Sequence, residues 1–353
     1  MKLLLVSPKM EKSNGGIAVW TNMYLDGARD SVIEPYLLNT APVGKRAKNG
    51  TAKRNFLVEM WRTIKIFRDF SLITRKTEFD IVHLNTSCGR FGIVRDYLLL
   101  KQIKKKQPQA KIVLHYHCDI PAQVRSKKSK KYLGNLLKLC DCNFVLCQNS
   151  KTYLEKEMSA TAIKVPNFVS EHLIVKHNRE IRPNKLRAFF VGRISILKGA
   201  REIYALAEKN PDVVFSLVGS VSETVASWQK PENIHLLGPM PHERVLACMD
   251  EADVFVFPSH TEGFSMALAE AMARGLPAVA TDVGANADML EEQGGIVCPV
   301  GDDDALHQAL QEIKNTDTRE KMSSWCVNKV RENYTTDKVI AQFLEYYNHL
   351  LEI

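Results

Sequence analysis

The sequence predicts an α/β protein built as two successive domains of parallel sheet and helix. Three observations carry this. The 353 residues exceed what one compact core holds and suit two domains of ordinary size. Short apolar runs alternate with amphipathic stretches twice along the chain, and a polar, irregular segment with Pro183 separates the two series. Within the second series, residues 254–280 spell out one strand–helix–strand unit. Val254 to Phe257 is apolar and stops at Pro258-Ser259. Met266 to Arg274 is a good helix former with Ser265 as N-cap, Gly275 where a left-handed residue is wanted and Pro277 to prevent continuation. The apolar piece 277–280 then reads as the next parallel strand.

In the first half, Lys2 to Ser7 is the first strand. The opening Met1–Pro8 carries one charge and too short an apolar run for a signal peptide, so the chain is expected to stay in the cytoplasm. A loop containing Asn14, Gly15 and Gly16 leads into a helix from Ile17 to Ala28. Two glycines between a first strand and a first helix allow a ligand close to the backbone, although many turns contain them. There is no G-x-G-x-x-G, which argues against a dinucleotide dehydrogenase. Further strands are expected at 35–39, 80–85, 111–117 and 143–148. His117 ends the third of these, at the strand edge where such sheets bind ligands. Its imidazole could donate to a sugar hydroxyl or a phosphate oxygen, or simply pack. His115 shares its face but lies deeper.

Composition is that of a globular protein, 45% hydrophobic and 25% charged, with no apolar run of membrane-spanning length. The net charge of +8 conceals +17 over residues 1–180 and −9 over 181–353. The surplus concentrates at Lys45-Arg46, Lys48, Lys53-Arg54, Lys104–Lys106 and Lys127–Lys131. Between them lies a helical stretch, 56–73, with Leu57, Met60, Trp61, Ile64, Phe67 and Phe70 interleaved with Arg62, Lys65 and Arg68. Such a segment suits the surface of an anionic bilayer, or packs its stripe on the sheet with its charges in water. No aromatic-basic platform or motif supports nucleic acid as a partner. The eight cysteines (88, 118, 140, 142, 147, 248, 298 and 326) include no C-x-x-C pair and read as buried thiols, not metal ligands.

In the second half, the strand 187–191 runs into Gly192-Arg193-Ile194-Ser195-Ile196-Leu197-Lys198-Gly199 and then a helix. Two cations five apart in such a loop suit a diphosphate, Arg193 as a fork of donors and Lys198 as a compact charge; the plainer reading is two solvated surface charges. In the loop before the helix at 266, the backbone N–H groups of Gly263, Phe264 and Ser265 suit an anion or sugar oxygens. Glu262 could accept from hydroxyls, and Glu270, just over one turn into the helix, could reach a diol. Equally, Glu262 could serve the helix dipole and Glu270 face water. A strand at 215–218, another at 294–297 and three further helical stretches complete the chain.

E-G-F-S-M-A-L-A-E, followed by A-M-A-R-G-L-P-A-V-A-T, closely resembles the paired-glutamate motif of family 4 retaining glycosyltransferases (group 1 glycosyltransferases), which have the GT-B fold. G-R-x-x-x-x-K-G, about 65 residues earlier, resembles the second motif of the same family, and Ile234–Pro241 resembles its segment whose backbone meets the nucleotide base, here at Gly238. The resemblance covers the whole chain but is sharp only over about 186–300. The N-terminal domain matches loosely, at Gly15-Gly16 and His117. It implies two Rossmann-like domains facing each other across a cleft that holds the active site. The expected divisions are 1–170 for acceptor binding, a linker at 171–185, 186–335 for the nucleotide sugar, and a final helix within 336–353 crossing back to the first domain.

The resemblance further implies that Arg193 and Lys198 neutralise the departing nucleotide diphosphate and that Glu262 contacts the transferred sugar. Glu270 would hold the ribose and His117 the donor sugar, with Gly15-Gly16 bordering phosphates and acceptor. No divalent metal or cofactor is implied; the donor is a nucleotide-diphosphate sugar, with UDP favoured. The expected reaction is transfer to a hydroxyl of a glycan or lipid-linked intermediate in polysaccharide or lipopolysaccharide biosynthesis, with retention of configuration. The basic half would rest on the inner face of the cell membrane. Two rivals share the scaffold: a nucleotide-sugar epimerase or phosphorylase, which would act without this acceptor, and a non-catalytic sugar-nucleotide-binding or scaffold protein, which would bind donor without turnover.

Overall fold

The computed structural model describes residues 1–9, 16–29, 31–42, 55–89, 91–175 and 185–352. The chain divides into two compact units, Met1–Pro166 with Thr336–Ile353, and Asn167–Thr335. Of the stretch 171–185 expected as a linker, Glu171–Leu173 forms a 3-10 turn and residues 176–184 lie outside the described residues. The basic residues at 45–54 and Gly15 lie outside them too.

The first unit alternates β1 (Lys2–Ser7), α1 (Gly16–Gly27), β2 (Glu34–Asn39), α2 (Phe56–Ile73), β3 (Ile81–Thr86), α3 (Gly92–Lys106), β4 (Lys111–Tyr116), α4 (Lys127–Leu137), β5 (Cys142–Val145), α5 (Gln148–Glu157) and β6 (Ile163–Lys164). All strands are parallel, in the order β2-β1-β3-β4-β5-β6. β3 is buried at every position and β4 at all but its first, because layers cover both faces of a parallel sheet. The chain's last helix, Thr336–Leu351, belongs to this unit. It sets Phe343 and Tyr347 among Trp20, Tyr24, His83, His115 and Phe144. The Tyr347 hydroxyl lies 2.5 Å from His83 Nδ1 and 3.1 Å from the Tyr24 hydroxyl. Burial holds the His83 imidazole down at about 3 and His115 well below its ordinary range, so both are neutral inside this aromatic layer.

α2 departs from one of the two readings of its pattern. Asn55 caps it, accepting from the Leu57 and Val58 amides. Only Ile66 and Phe70 of the helix are buried, while Phe56, Leu57, Met60, Trp61 and Ile64 are exposed. The larger part of the stripe therefore does not pack on the sheet.

The second unit comprises β7 (Arg187–Val191), α6 (Ala200–Lys209), β8 (Val214–Val218), β9 (Ile234–Gly238), α7 (His242–Glu251), β10 (Val254–Phe257), α8 (Met266–Ala273), β11 (Ala278–Thr281), β12 (Gly295–Cys298), α9 (Asp303–Ile313) and α10 (Thr316–Asn333). Its six parallel strands run β12-β11-β10-β7-β8-β9. Read from the β9 edge, this is the doubly wound order 3-2-1-4-5-6, whose direction reverses between β7 and β10. The loops leaving those two neighbouring strands therefore stand side by side at the switch point.

Candidate functional site

Those two loops carry the cations and the first acid. After β7, Gly192 N donates to Val218 O and Ile194 N to Ser220 O, which pins the start of the loop to the end of β8. Ile196–Lys198 then makes one 3-10 turn, and Gly199 begins α6 with φ of +79°. A Cβ at Gly199 would lie 2.2 Å from the Pro258 carbonyl oxygen. Glycine here thus allows the β7 loop to press against the β10 loop, and His260 N donates to Leu197 O to hold the two together.

The consequence is that Lys198 Nζ donates to Glu262 Oε1 at 2.5 Å, across 64 positions of sequence. Ser259 Oγ donates to the same carboxylate oxygen at 2.8 Å. The Glu262 side chain is 11% exposed and that of Lys198 is 32%, so the lysine is the more accessible member of the pair. Arg193 lies on the same loop as Lys198, is exposed, and makes no hydrogen bond or ion pair with any described residue.

α8 begins as its sequence dictates. Ser265 Oγ accepts from Leu268 N at 3.2 Å, and Gly275 closes the helix with φ of +65°. The backbone N–H groups of Gly263, Phe264 and Ser265 donate to no protein group among the described residues. They lie where the dipole of α8 is positive. The Phe264 ring is buried against Tyr334, 5.6 Å between centroids, and anchors the loop. Glu270, one turn into α8, pairs with His242 Nε2 at 3.1 Å. His242 opens α7, just after β9, so the pair ties the segment following Gly238 to α8. Gly238 itself closes β9 with φ of +71°, at a register shift against β8. The Glu270 carboxylate pushes the His242 imidazole above its ordinary value.

In the first unit, Gly16 opens α1, exposed, with nothing within 4 Å of where a Cβ would stand. His117 follows β4 directly and extends its ladder by donating N–H to Thr86 O. Its ring stands 4.1 Å from that of His115, and its Nε2 is buried without a partner. Burial holds it at about 3, so it is a neutral imidazole with a polar atom to satisfy. His117 and Gly16 thus belong to one compact unit, and Arg193, Lys198, Gly238, Glu262–Ser265 and Glu270 to the other.

Three participants were not singled out from the sequence. Ser259 lies inside the motif, where the sequence marks it only as a turn residue. His242 lies 28 positions from Glu270 and carries no local signal. His260 pairs with the buried Glu202 of α6 at 2.9 Å, a second tie between the two loops. All eight cysteines are free thiols, six of them buried. Among the described residues no group of three His, Cys, Asp or Glu could hold a metal ion, and no helix is long and apolar enough to cross a membrane.

Residues 174–327, which contain Arg193, Lys198, Gly238, His242, Ser259, Glu262–Ser265 and Glu270, match the family of glycosyl transferases group 1. The O-antigen chain mannosyltransferase C of Escherichia coli is 25% identical over 265 residues, 70% of this chain and 71% of that one. The UDP-Gal:alpha-D-GlcNAc-diphosphoundecaprenol alpha-1,3-galactosyltransferase of Escherichia coli is 24% identical over 329 residues, 83% and 82% of the two chains. Among solved structures, Anabaena HepE in complex with UDP superposes with a TM-score of 0.75 at 15% identity, over 99% of this chain and 100% of that one. Residues 174–327 belong to the group 1 glycosyl transferases, and the chain is a glycosyltransferase with the GT-B fold.

Proposed function

We propose that this protein is a family 4 enzyme that transfers a sugar, with retention of configuration, from a nucleotide-diphosphate donor to a hydroxyl of a lipid-linked or cell-surface glycan intermediate. The observation that carries the proposal is the junction of Lys198 with Glu262 at the switch point between β7 and β10. A cation, an acid and unpaired amides at a helix N-terminus meet there, which suits a ligand with a diphosphate at one end and hydroxyls at the other. The relatives' names support the acceptor class, since one acts on O-antigen and another on a diphosphoundecaprenol-linked sugar. HepE was solved with UDP, which supports a UDP-sugar as donor.

In this reading Lys198 is held by Glu262 until a donor arrives. The diphosphate then takes the lysine and Arg193, and Glu262 turns to a hydroxyl of the transferred sugar. As the glycosidic bond breaks, negative charge grows on the leaving diphosphate. Fixed cations and helix-end amides stabilise that charge more than they stabilise the bound donor, which lowers the barrier. The departing phosphate oxygen accepts the acceptor's proton. Glu270 holds the ribose, steadied by His242, and Gly238 lies beside the base. His117, neutral, offers Nε2 to a sugar hydroxyl, and the loop ending at Gly15-Gly16 borders the acceptor.

The basic surplus of residues 1–180 suits an anionic membrane on which such an acceptor is displayed, and supports the reading of a peripheral enzyme working on the cytoplasmic side. Isothermal titration with UDP-, GDP- and ADP-sugars, followed by NMR of the product anomer, tests the proposal. An inverted product, or no affinity for any nucleotide sugar, refutes it.

A further inference from the structure

We infer that the exposed face of α2 is the element by which this protein rests on an anionic lipid bilayer. The inference deepens the membrane reading above, and it comes from what the fold leaves uncovered. Phe56 is 72% exposed, Leu57 65%, Met60 48%, Trp61 59% and Ile64 60%. At about 100° per residue these five positions fall within an arc of about 140° on one side of the helix. Ile66 and Phe70, which anchor α2 to the core, lie outside that arc, Phe70 about 40° from its Phe56 edge, and Phe67 within the arc packs partly against the same core. Ordinary amphipathic helices of globular proteins bury their apolar stripe; this one buries a narrow stripe and presents a broader one to solvent.

The charge around this face selects the occupant. Among the described residues, 55–76 carry five Lys and Arg (Arg62, Lys65, Arg68, Arg75 and Lys76) against Glu59 and Asp69. Arg62 is turned inward to Thr40 O and Glu59, but Arg68 is 68% exposed and lies on the same arc one turn beyond Ile64. An open groove of about 500 Å³ beside it is lined by Thr63, Ile64, Phe67, Arg68, Ser71 and Gln102. The Arg68 guanidinium pairs with Asp69 at 3.1 Å, and its exposure leaves it able to exchange that partner for a lipid phosphate. A second copy docking through the same face would oppose two cationic segments, so self-association there is disfavoured. With 18 residues and charges along its length, α2 is not a span; it suits lying flat, with the aromatic and aliphatic side chains among the acyl chains and the cations at the phosphates.

The test uses the whole chain and sedimentation with phosphatidylethanolamine vesicles containing phosphatidylglycerol, beside pure phosphatidylcholine vesicles. The wild-type protein is expected to sediment with the anionic vesicles, less so in high salt, with a blue shift of tryptophan emission that Trp61→Phe removes. The variant Phe56→Ser/Trp61→Ser/Ile64→Ser is expected to bind about tenfold more weakly or worse, given the apolar area withdrawn, while its thermal melt and UDP affinity stay at wild-type values. Undiminished vesicle binding by the triple variant overturns the assignment to α2 and leaves the membrane reading standing. No binding by the wild-type protein sinks both. A wild-type dimer that the triple variant dissociates would assign the face to a second copy and overturn the inference.

Discussion

Replacing Lys198 by alanine separates the catalytic role proposed for this lysine from the structural role of its pair with Glu262. The lysine side chain is a third exposed and its partner one-ninth, so solvent screens the attraction and its net contribution to stability is about 0.5–1 kcal/mol. For a unit the size of residues 167–335 that corresponds to a fall in melting temperature of about 1–4 °C. In the proposed reaction the transition state asks more of the same charge. One fixed donor withdrawn from a developing anion costs about 10²–10³ in rate, about 2.7–4 kcal/mol. The expected result is a protein that melts within a few degrees of wild type but releases UDP from its donor at least about a hundredfold more slowly. Lys198→Arg, which keeps the charge but not the shape, should fall between. Stopped or coupled assays of UDP release, beside a thermal melt, read both numbers. Turnover of Lys198→Ala within about threefold of wild type would refute the assignment of the leaving-group charge to this lysine.

Four further outcomes follow from the same geometry. His242 is pushed above its ordinary value by Glu270, so their ion pair is complete below that ordinary value and is lost as pH rises through the raised one. UDP affinity in the wild type should therefore weaken by about twofold to threefold on passing from about pH 6 to pH 8.5, a small change because His242 is more than half exposed. The same titration of His242→Gln should be flat, and a slope identical to wild type would remove His242 from the account. Gly199→Ala places a Cβ against the Pro258 carbonyl at a positive φ, and should cost about 2–4 kcal/mol by denaturant unfolding together with most UDP affinity. Tyr347→Phe strands His83 Nδ1 and the Tyr24 hydroxyl in a buried layer. It should cost about 1–3 kcal/mol in the melt with UDP affinity unchanged. Glu270→Gln should weaken UDP binding by about tenfold but spare binding of pyrophosphate, if its partner is the ribose.

The sequence by itself determined what depends on neighbours along the chain. β1, β7 and β10 are bounded as their apolar runs and turn residues require, and α8 starts at Ser265 and stops at Gly275 because an N-cap acceptor and a left-handed C-terminal residue are local devices. The charge of the basic half and the candidate acids and cations were legible in the same way, as residue types at loop positions. Only the tertiary structure decided which of them meet. Lys198 reaches Glu262 because the strand order reverses between β7 and β10, an arrangement that no window of sequence contains. His242 reaches Glu270 because the turn after β9 brings the first residue of α7 beside the early part of α8, 28 positions on in the chain. The direction of α2 is the sharpest case. A helical apolar stripe has the same period whether it faces the sheet or the solvent, so periodicity could announce the helix, but only the packing of Ile66 and Phe70 against the first unit showed which side was left open.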